Sequence, residues 1–243
     1  MNNDEFYIGW EAKAAPGIGS RTQKTIIALV VVVLACATAF ALSQRLIGSS
    51  VFEWGKVKTF SGVLETKPYP HLIADDKTYY LVAPWKFGLD QKIVAPLDHQ
   101  QVTLNGTLIY RDNQSMIEAK PDSIKAIAAA TNTIPTVIAL GKQTLVGEIV
   151  DSKCFLGVMN PGQLTPHRSC AIRCISGGAP PVLLVRQKKG PAAYLLLTDS
   201  AGNPVNQKVL DLVAEPVEIT GEVVRQGDLL ILRADPATYH RTK

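Results

Sequence analysis

An all-β fold, with two tandem OB-like β-barrels after a single N-terminal transmembrane helix, is the class this sequence predicts. Three observations point to it. Lys24 and Arg45 bracket twenty residues without a charge, "TIIALVVVVLACATAFALSQ". Beyond them, alternating and β-branched runs such as "VTLNGTLIY", "TLVGEIV", "VEITGEVV" and "LLILRA" are broken by turn residues, which is how short strands read. The chain also repeats itself, since Val102 to Ala119 aligns without gaps on Val217 to Ala234.

The first element is the uncharged run. At a rise of about 1.5 Å per residue it spans a hydrocarbon core of roughly 30 Å, so residues 25–44 read as a transmembrane helix with the lipid bilayer as partner. A cleaved signal peptide is the rival, because Ala37-Thr38-Ala39 and Ala39-Phe40-Ala41 offer small-residue cleavage sites. Against it, the leader carries Asp4, Glu5 and Glu11, unlike a short positive n-region. Cys36 reads as a small lipid- or helix-facing residue. Lys13, Arg21 and Lys24 nearly balance Arg45, Lys56 and Lys58 across the run, so charge counting does not set the orientation. The layout is that of an uncleaved signal anchor. It places residues 1–24 as a cytoplasmic tail, one pass in the inner (cytoplasmic) membrane, and the C-terminal domains in the periplasm or outside the cell.

The remaining 200 or so residues have the apolar content for one or two packed domains, the whole chain being 47% hydrophobic. The net charge of +4 is spread evenly, without basic clusters interleaved with aromatics, so nucleic acid is not an expected partner. In each repeat a strand with a central glycine (Gly106, Gly221) leads through a polar turn into a second strand. Upstream, "FSGVLE" around Gly62 matches "LVGEIV" around Gly147, and "TYYLV" at 78–82 matches "AYLLL" at 193–197. Each copy therefore has about five strands with a glycine where a long strand bends, the pattern of a small OB-like barrel. The first domain is expected over 53–125, a linker over 126–141 with room for a short helix from Ser123 to Ala130, and the second domain over 142–239. "PYPH", Pro68 to His71, reads as a tight turn of the first barrel. Trp54, Tyr80 and Trp85 are expected in barrel and inter-domain packing, and His71, His99 and His240 at the surface.

The repeats differ in one place. Gly62 and Gly106 are 44 residues apart, while Gly147 and Gly221 are 74 apart. The extra length falls between the first two strands of the second barrel, at 154–181, and a long loop in a compact domain is more often functional than idle. It holds Cys154, Cys170 and Cys174, three of the four cysteines, together with His167. Thr165 is a good N-cap, Pro166 suits the first helical position, and Gly177-Gly178 stops the helix, which is expected from Pro166 to Ser176. On it His167, Cys170 and Cys174 stand at i, i+3 and i+7, on one face.

"GEIVDSKC" and "HRSCAIRC" resemble the motifs G-x-x-V-D-x-x-C and H-x-x-C-A-x-x-C of a poorly characterised family of bacterial exported OB-like domains, and "FYIGWEAKAAPG" resembles the tail of its membrane-anchored members. The resemblance implies a fold and a compartment, not an activity. From the residues themselves, three readings of the cluster stand open. Cys154, His167, Cys170 and Cys174 form a Cys3His set suited to zinc, with copper kept open by the nearby Met159. Alternatively, Cys154 pairs with Cys170 or Cys174 in a disulfide and leaves one thiol, or the cysteines are buried and unpaired. No Ser/His/Asp order, paired-carboxylate motif, phosphate loop or dinucleotide fingerprint is present, so no catalytic residue is assigned and no self-contained enzyme is expected. The functional expectation is a membrane-anchored exported accessory or assembly subunit that docks on a membrane, redox-type complex. The alternative is a thiol-based redox protein using the cysteines.

Overall fold

The computed structural model describes residues 16–44, 50–74, 77–127, 134–187 and 192–242. The chain divides after Gly48 into two compact units. The first contains helix α1, Pro16–Gln44, whose apolar stretch Gly17–Ser43 is long enough to cross a membrane and exposes its apolar side chains, as an anchor or a signal sequence would. Its Thr25 and Thr38 hydroxyls donate to the carbonyls of Arg21 and Leu34 one turn back, so they present no unpaired donor to an apolar surround.

The second unit is built from two closed five-stranded barrels. In the first, β1 (Ser50–Glu65), β2 (His71–Ala74), β3 (Lys77–Val82), β4 (Gln101–Arg111) and β5 (Gln114–Ala119) pair in the order β1-β2-β3-β5-β4, and β4 closes onto β1. All pairings are antiparallel except β3 with β5. A short helix, α2 (Gln91–Val94), bridges β3 to β4. A two-residue strand, β6 (Lys125–Ala126), adds to β4 at Val102 and Thr103.

The second barrel repeats this order. Its strands are β7 (Val137–Asp151), β8 (Pro181–Val185), β9 (Ala193–Thr198), β10 (Pro216–Gln226) and β11 (Leu229–Arg233), with β10 closing onto β7 and β9 parallel to β11. A two-residue strand, β12 (His240–Arg241), pairs with β10 as β6 does with β4. The duplicated sequence is thus a duplicated five-strand barrel, each copy closed so that no long edge is left unpaired. Gly62 and Gly147 hold matching places in β1 and β7. A Cβ at either would lie 2.3 Å from the Ile73 carbonyl oxygen or 2.6 Å from that of Leu184, which explains the glycine shared by both repeats.

Two apolar cores fill the barrels and a third joins them. Leu64, Leu81, Leu104 and Ile117 lie inside the first, and Ile149, Leu183, Leu197, Ile219 and Leu232 inside the second. Between them Tyr80, Val82, Ile109 and Met116 of the first barrel meet Leu184, Leu196, Val224 and Ile231 of the second, with Phe155 and Leu156 of the insert wedged among them. The Arg111 guanidinium lies 4.2 Å above the centre of the Phe155 ring. Polar bonds cross the same seam. The Tyr69 hydroxyl donates to the Leu197 carbonyl at 3.1 Å and accepts from the Val205 N–H at 2.9 Å, and Tyr194 donates to Asp112 at 3.0 Å.

Several sequence expectations change here. His71 is not a surface residue: it is 1% exposed, bonded through Nε2 to Glu65 at 2.9 Å and through Nδ1 to the Tyr69 carbonyl, because β2 turns it into the seam. Trp54 and Trp85 are not packing residues, being 74% and 81% exposed, whereas Tyr80 is buried as expected. The helix allowed from Ser123 to Ala130 does not form over its described part, since Lys125–Ala126 pairs as β6, and residues 128–130 lie outside the described residues. Strand β7 begins at Val137, within the segment read as linker.

Phe155→Ala should cost about 3–5 kcal/mol, because it empties the centre of the inter-barrel core and strips the Arg111 guanidinium of its ring. Guanidinium unfolding with an unchanged slope and a lower midpoint would measure the loss.

Candidate metal centre

The insert begins where β7 ends. Asp151 is fully buried, and its Oδ1 accepts the Cys154 N–H at 2.7 Å, which turns the chain out of the strand. Cys154–Val158 then forms one wide helical turn, closed by the Met159 N–H on the Cys154 carbonyl at 3.1 Å. That turn points Phe155 and Leu156 into the seam between barrels and buries Cys154 beside them.

The chain returns through Leu164, which is left-handed at φ +67° and whose N–H is held by the Glu148 carboxylate. A single tight turn, Thr165–His167, leads into α3, Arg168–Ser176. The helix therefore starts two residues later than the sequence predicts, with Pro166 in the preceding turn and no side-chain cap from Thr165. Arg168 pairs with Glu215 and donates to the Asp211 carbonyl at 2.9 Å, while the Asn206 amide donates to the Ile175 and Ala179 carbonyls at 2.8 and 2.9 Å. Both ends of α3 are thereby tied to the second barrel, and its Cys170–Cys174 face turns towards Cys154.

The three sulfurs meet. Cys154 Sγ lies 3.9 Å from Cys170 Sγ and 3.8 Å from Cys174 Sγ, with Cys154 and Cys174 buried and Cys170 half-buried. All are free thiols, and the three ligand atoms lie within 4.8 Å of one another, so they can hold a metal ion. A tetrahedral zinc–thiolate centre with bonds of about 2.3 Å has sulfur–sulfur edges of about 3.8 Å, close to these separations.

The structure places His167 differently from the three cysteines. Its Nε2 is 3.0 Å from Asp151 Oδ2, both side chains are buried, and it joins Asp151 and Cys154 in a second donor group that overlaps the first only at Cys154. His167 thus stands beside Cys154 and on Asp151, the carboxylate that anchors the Cys154 backbone, and is not grouped with Cys170 and Cys174. Cys36, on α1, is exposed.

Sequence reasoning missed three residues here. Lys86, from the loop after β3 in the first barrel, places Nζ 2.8 Å from Cys170 Sγ and 3.8 Å from Cys174 Sγ. Lys153, only 2% exposed, donates to the Ala83 and Trp85 carbonyls at 2.9 and 2.6 Å and pairs with Glu118 at 2.5 Å. It thereby fixes the loop that carries Lys86. Gly177 closes the arrangement, since a Cβ there would lie 2.0 Å from the Lys86 carbonyl oxygen, and its own carbonyl accepts the Gly88 N–H at 2.9 Å. Asp151 was legible as the acid three residues before Cys154. Lys86 lies 84 residues from Cys170 and left no local signal.

The electrostatics are asymmetric. The Cys154 thiol is pushed well above its ordinary range by its hydrogen bond to Cys174 and by burial. Cys174 is held below the usual thiol range, first by that bond from Cys154 and also by the Lys86 ammonium. Lys86 is raised in turn, chiefly by its bond to Cys170. Three sulfurs and an ammonium stand within contact of one another, an arrangement suited to binding a soft cation or to thiol chemistry. Compared with models of protein families, with curated proteins and with solved structures, the chain finds no significant match.

Lys153→Met should destabilise the protein by about 3–5 kcal/mol, because it leaves Glu118 and two carbonyls unpaired in the seam. Adding Glu118→Leu should recover a substantial part of that loss, and a double-mutant cycle on denaturation midpoints measures the coupling.

Proposed function

We propose that this protein is a membrane-anchored, exported accessory subunit whose Cys154–Cys170–Cys174 pocket holds a zinc ion and which docks on a membrane complex. The observation that carries the reading is the meeting of three sulfurs from two separated elements, with Cys154 Sγ 3.9 and 3.8 Å from the other two, about the edge length of a thiolate zinc centre, and all three within 4.8 Å of one another. The chemistry of the donors supports it as well, because three thiolates are soft ligands whose charge a zinc ion neutralises. In this reading His167 orients Asp151, and Asp151 orients the Cys154 backbone. Anchoring by α1 and export of the barrels follow the signal-anchor layout, and the likeness of "GEIVDSKC" and "HRSCAIRC" to the exported OB-like family agrees with it.

A second reading, a thiol-based redox protein, is favoured by one feature: the 3.8 Å contact between the Cys154 and Cys174 sulfurs, which pushes the Cys154 thiol up and the Cys174 thiol down. One experiment separates the two. Elemental analysis and thiol titration of the full chain in detergent, native and denatured, should give one zinc per chain and no disulfide. One disulfide with one accessible thiol in the barrel unit and no metal would select the redox reading instead.

Cys170→Ser should lower zinc affinity by at least tenfold through loss of a ligand, whereas His167→Gln should keep one zinc per chain with three thiolates bound. Competition with a chromogenic chelator reads both. Chelation of the wild type should expose the thiols of the insert to alkylation while the barrel strands keep their far-ultraviolet circular dichroism, since each barrel closes through its own strands.

A further inference from the structure

We infer that the three-thiolate centre is open on its Cys170 side and takes its fourth ligand from outside the chain: a thiolate on a cysteine-bearing peptide segment of a partner protein. The inference rests on the metal reading above and names the partner chemistry of that same site.

The donor count comes first. Zinc held by protein is almost always four-coordinate when its role is structural, and a site with three protein ligands keeps a position for something else. Among the described residues, the group around Cys154, Cys170 and Cys174 contains no fourth His, Cys, Asp or Glu donor. Asp151 and His167 lie within 4.8 Å of Cys154 Sγ and of each other, with His167 Nε2 on the Asp151 carboxylate, but they form a separate group that does not include Cys170 or Cys174.

Burial locates the opening. Cys154 and Cys174 are 3% and 1% exposed, while Cys170 is half-buried, so the centre meets solvent on the Cys170 side. Lys86 stands there, and next to it runs a groove of about 400 Å³ lined by Trp85, Lys86, Phe87, Arg173, Ser176 and Gly177. The groove is firmly built: the Lys153 ammonium fixes its Trp85 rim, and the Gly88–Gly177 backbone bond joins its two walls.

The lining names the occupant. Lys86 and Arg173 are two cations, and Arg173 makes no ion pair among the described residues. Zinc with three thiolates carries a net charge of −1, and a fourth thiolate takes it to −2, which two cations offset. An anionic soft donor therefore fits both the ion and its surroundings. Trp85 and Phe87, which both line the groove, are 81% and 59% exposed. A free thiol covers little of either ring. A peptide carrying the cysteine covers both, and a buried aromatic pair around one polar contact is how partner segments are gripped.

The test uses the full chain in detergent, reduced and loaded with cobalt(II), whose thiolate charge-transfer absorption grows with each sulfur bound. A hexapeptide with one central cysteine should raise that absorption by about a third, as three thiolates become four, and its serine counterpart should not. Free cysteine should need at least about tenfold higher concentration for the same change, and Trp85→Ala or Phe87→Ala should each weaken the peptide by about tenfold. An absorption that ignores the cysteine peptide overturns this inference and leaves the metal reading standing. If the wild type shows no thiolate–cobalt absorption, both fall together. Free cysteine acting as well as the peptide, with both aromatic variants silent, overturns the partner segment in favour of a small thiol.

Discussion

Lys153 brings an ammonium into a place where only 2% of its surface meets solvent, and the rest of the cluster follows from how it is satisfied. Such burial is tolerable only with a full set of acceptors. Lys153 finds them across the seam, in two carbonyls of the loop after β3 and in the Glu118 carboxylate of β5. Because it immediately precedes Cys154, the same requirement that pins it to the first barrel fixes where Cys154 can lie. Because two of its acceptors, the Ala83 and Trp85 carbonyls, immediately precede Lys86, it also sets where the cation beside Cys170 arrives. One buried charge thus registers two barrels and the two halves of the candidate site.

The insert is a structural wedge as much as a functional loop. Phe155 and Leu156 supply the middle of the inter-barrel core, and Gly157 lies so close to β1 that a Cβ would come within 2.4 Å of the Val51 carbonyl oxygen. The loop is ordered because its ends are apolar or paired: Asp151 with Cys154 and His167, Glu148 with Leu164 and Arg186, Asn206 with the carbonyls at the end of α3. The first barrel needs no counterpart. Its β1–β2 connection is short, and Tyr69 within it reaches across to bond Leu197 and Val205.

Chemically, the site divides its labour by depth. Cys154 and Cys174 sit in the interior, where their contact holds the Cys174 thiol below its ordinary range, and Cys170 with Lys86 forms the solvent side. A buried pair and a half-exposed third donor give an ion a firm seat with one side accessible. Two of the aromatic side chains that the barrels leave in solvent, Trp85 and Phe87, lie on that same side.

By itself the sequence determined the duplicated five-strand barrel, because a period of two and a recurring glycine at a bent strand are local facts that survive in any context. It determined the apolar helix for the same reason, and it placed the insert by the difference between two repeat lengths. It also brought Cys170 and Cys174 onto one helical face, since four residues of α-helix do that wherever the helix lies. What only the tertiary structure decided is who meets whom across the seam. His167 fell in the turn before α3, with Nε2 on the buried Asp151 carboxylate and its ring beside Cys154. His71 went inside to Glu65, and Trp85 stayed outside because Lys153 holds its carbonyl and turns its backbone outward at φ +64°. Lys86 reached the sulfurs from a different barrel. Pairings of that kind depend on two surfaces docking in one register, and no spacing within either segment encodes the distance between them.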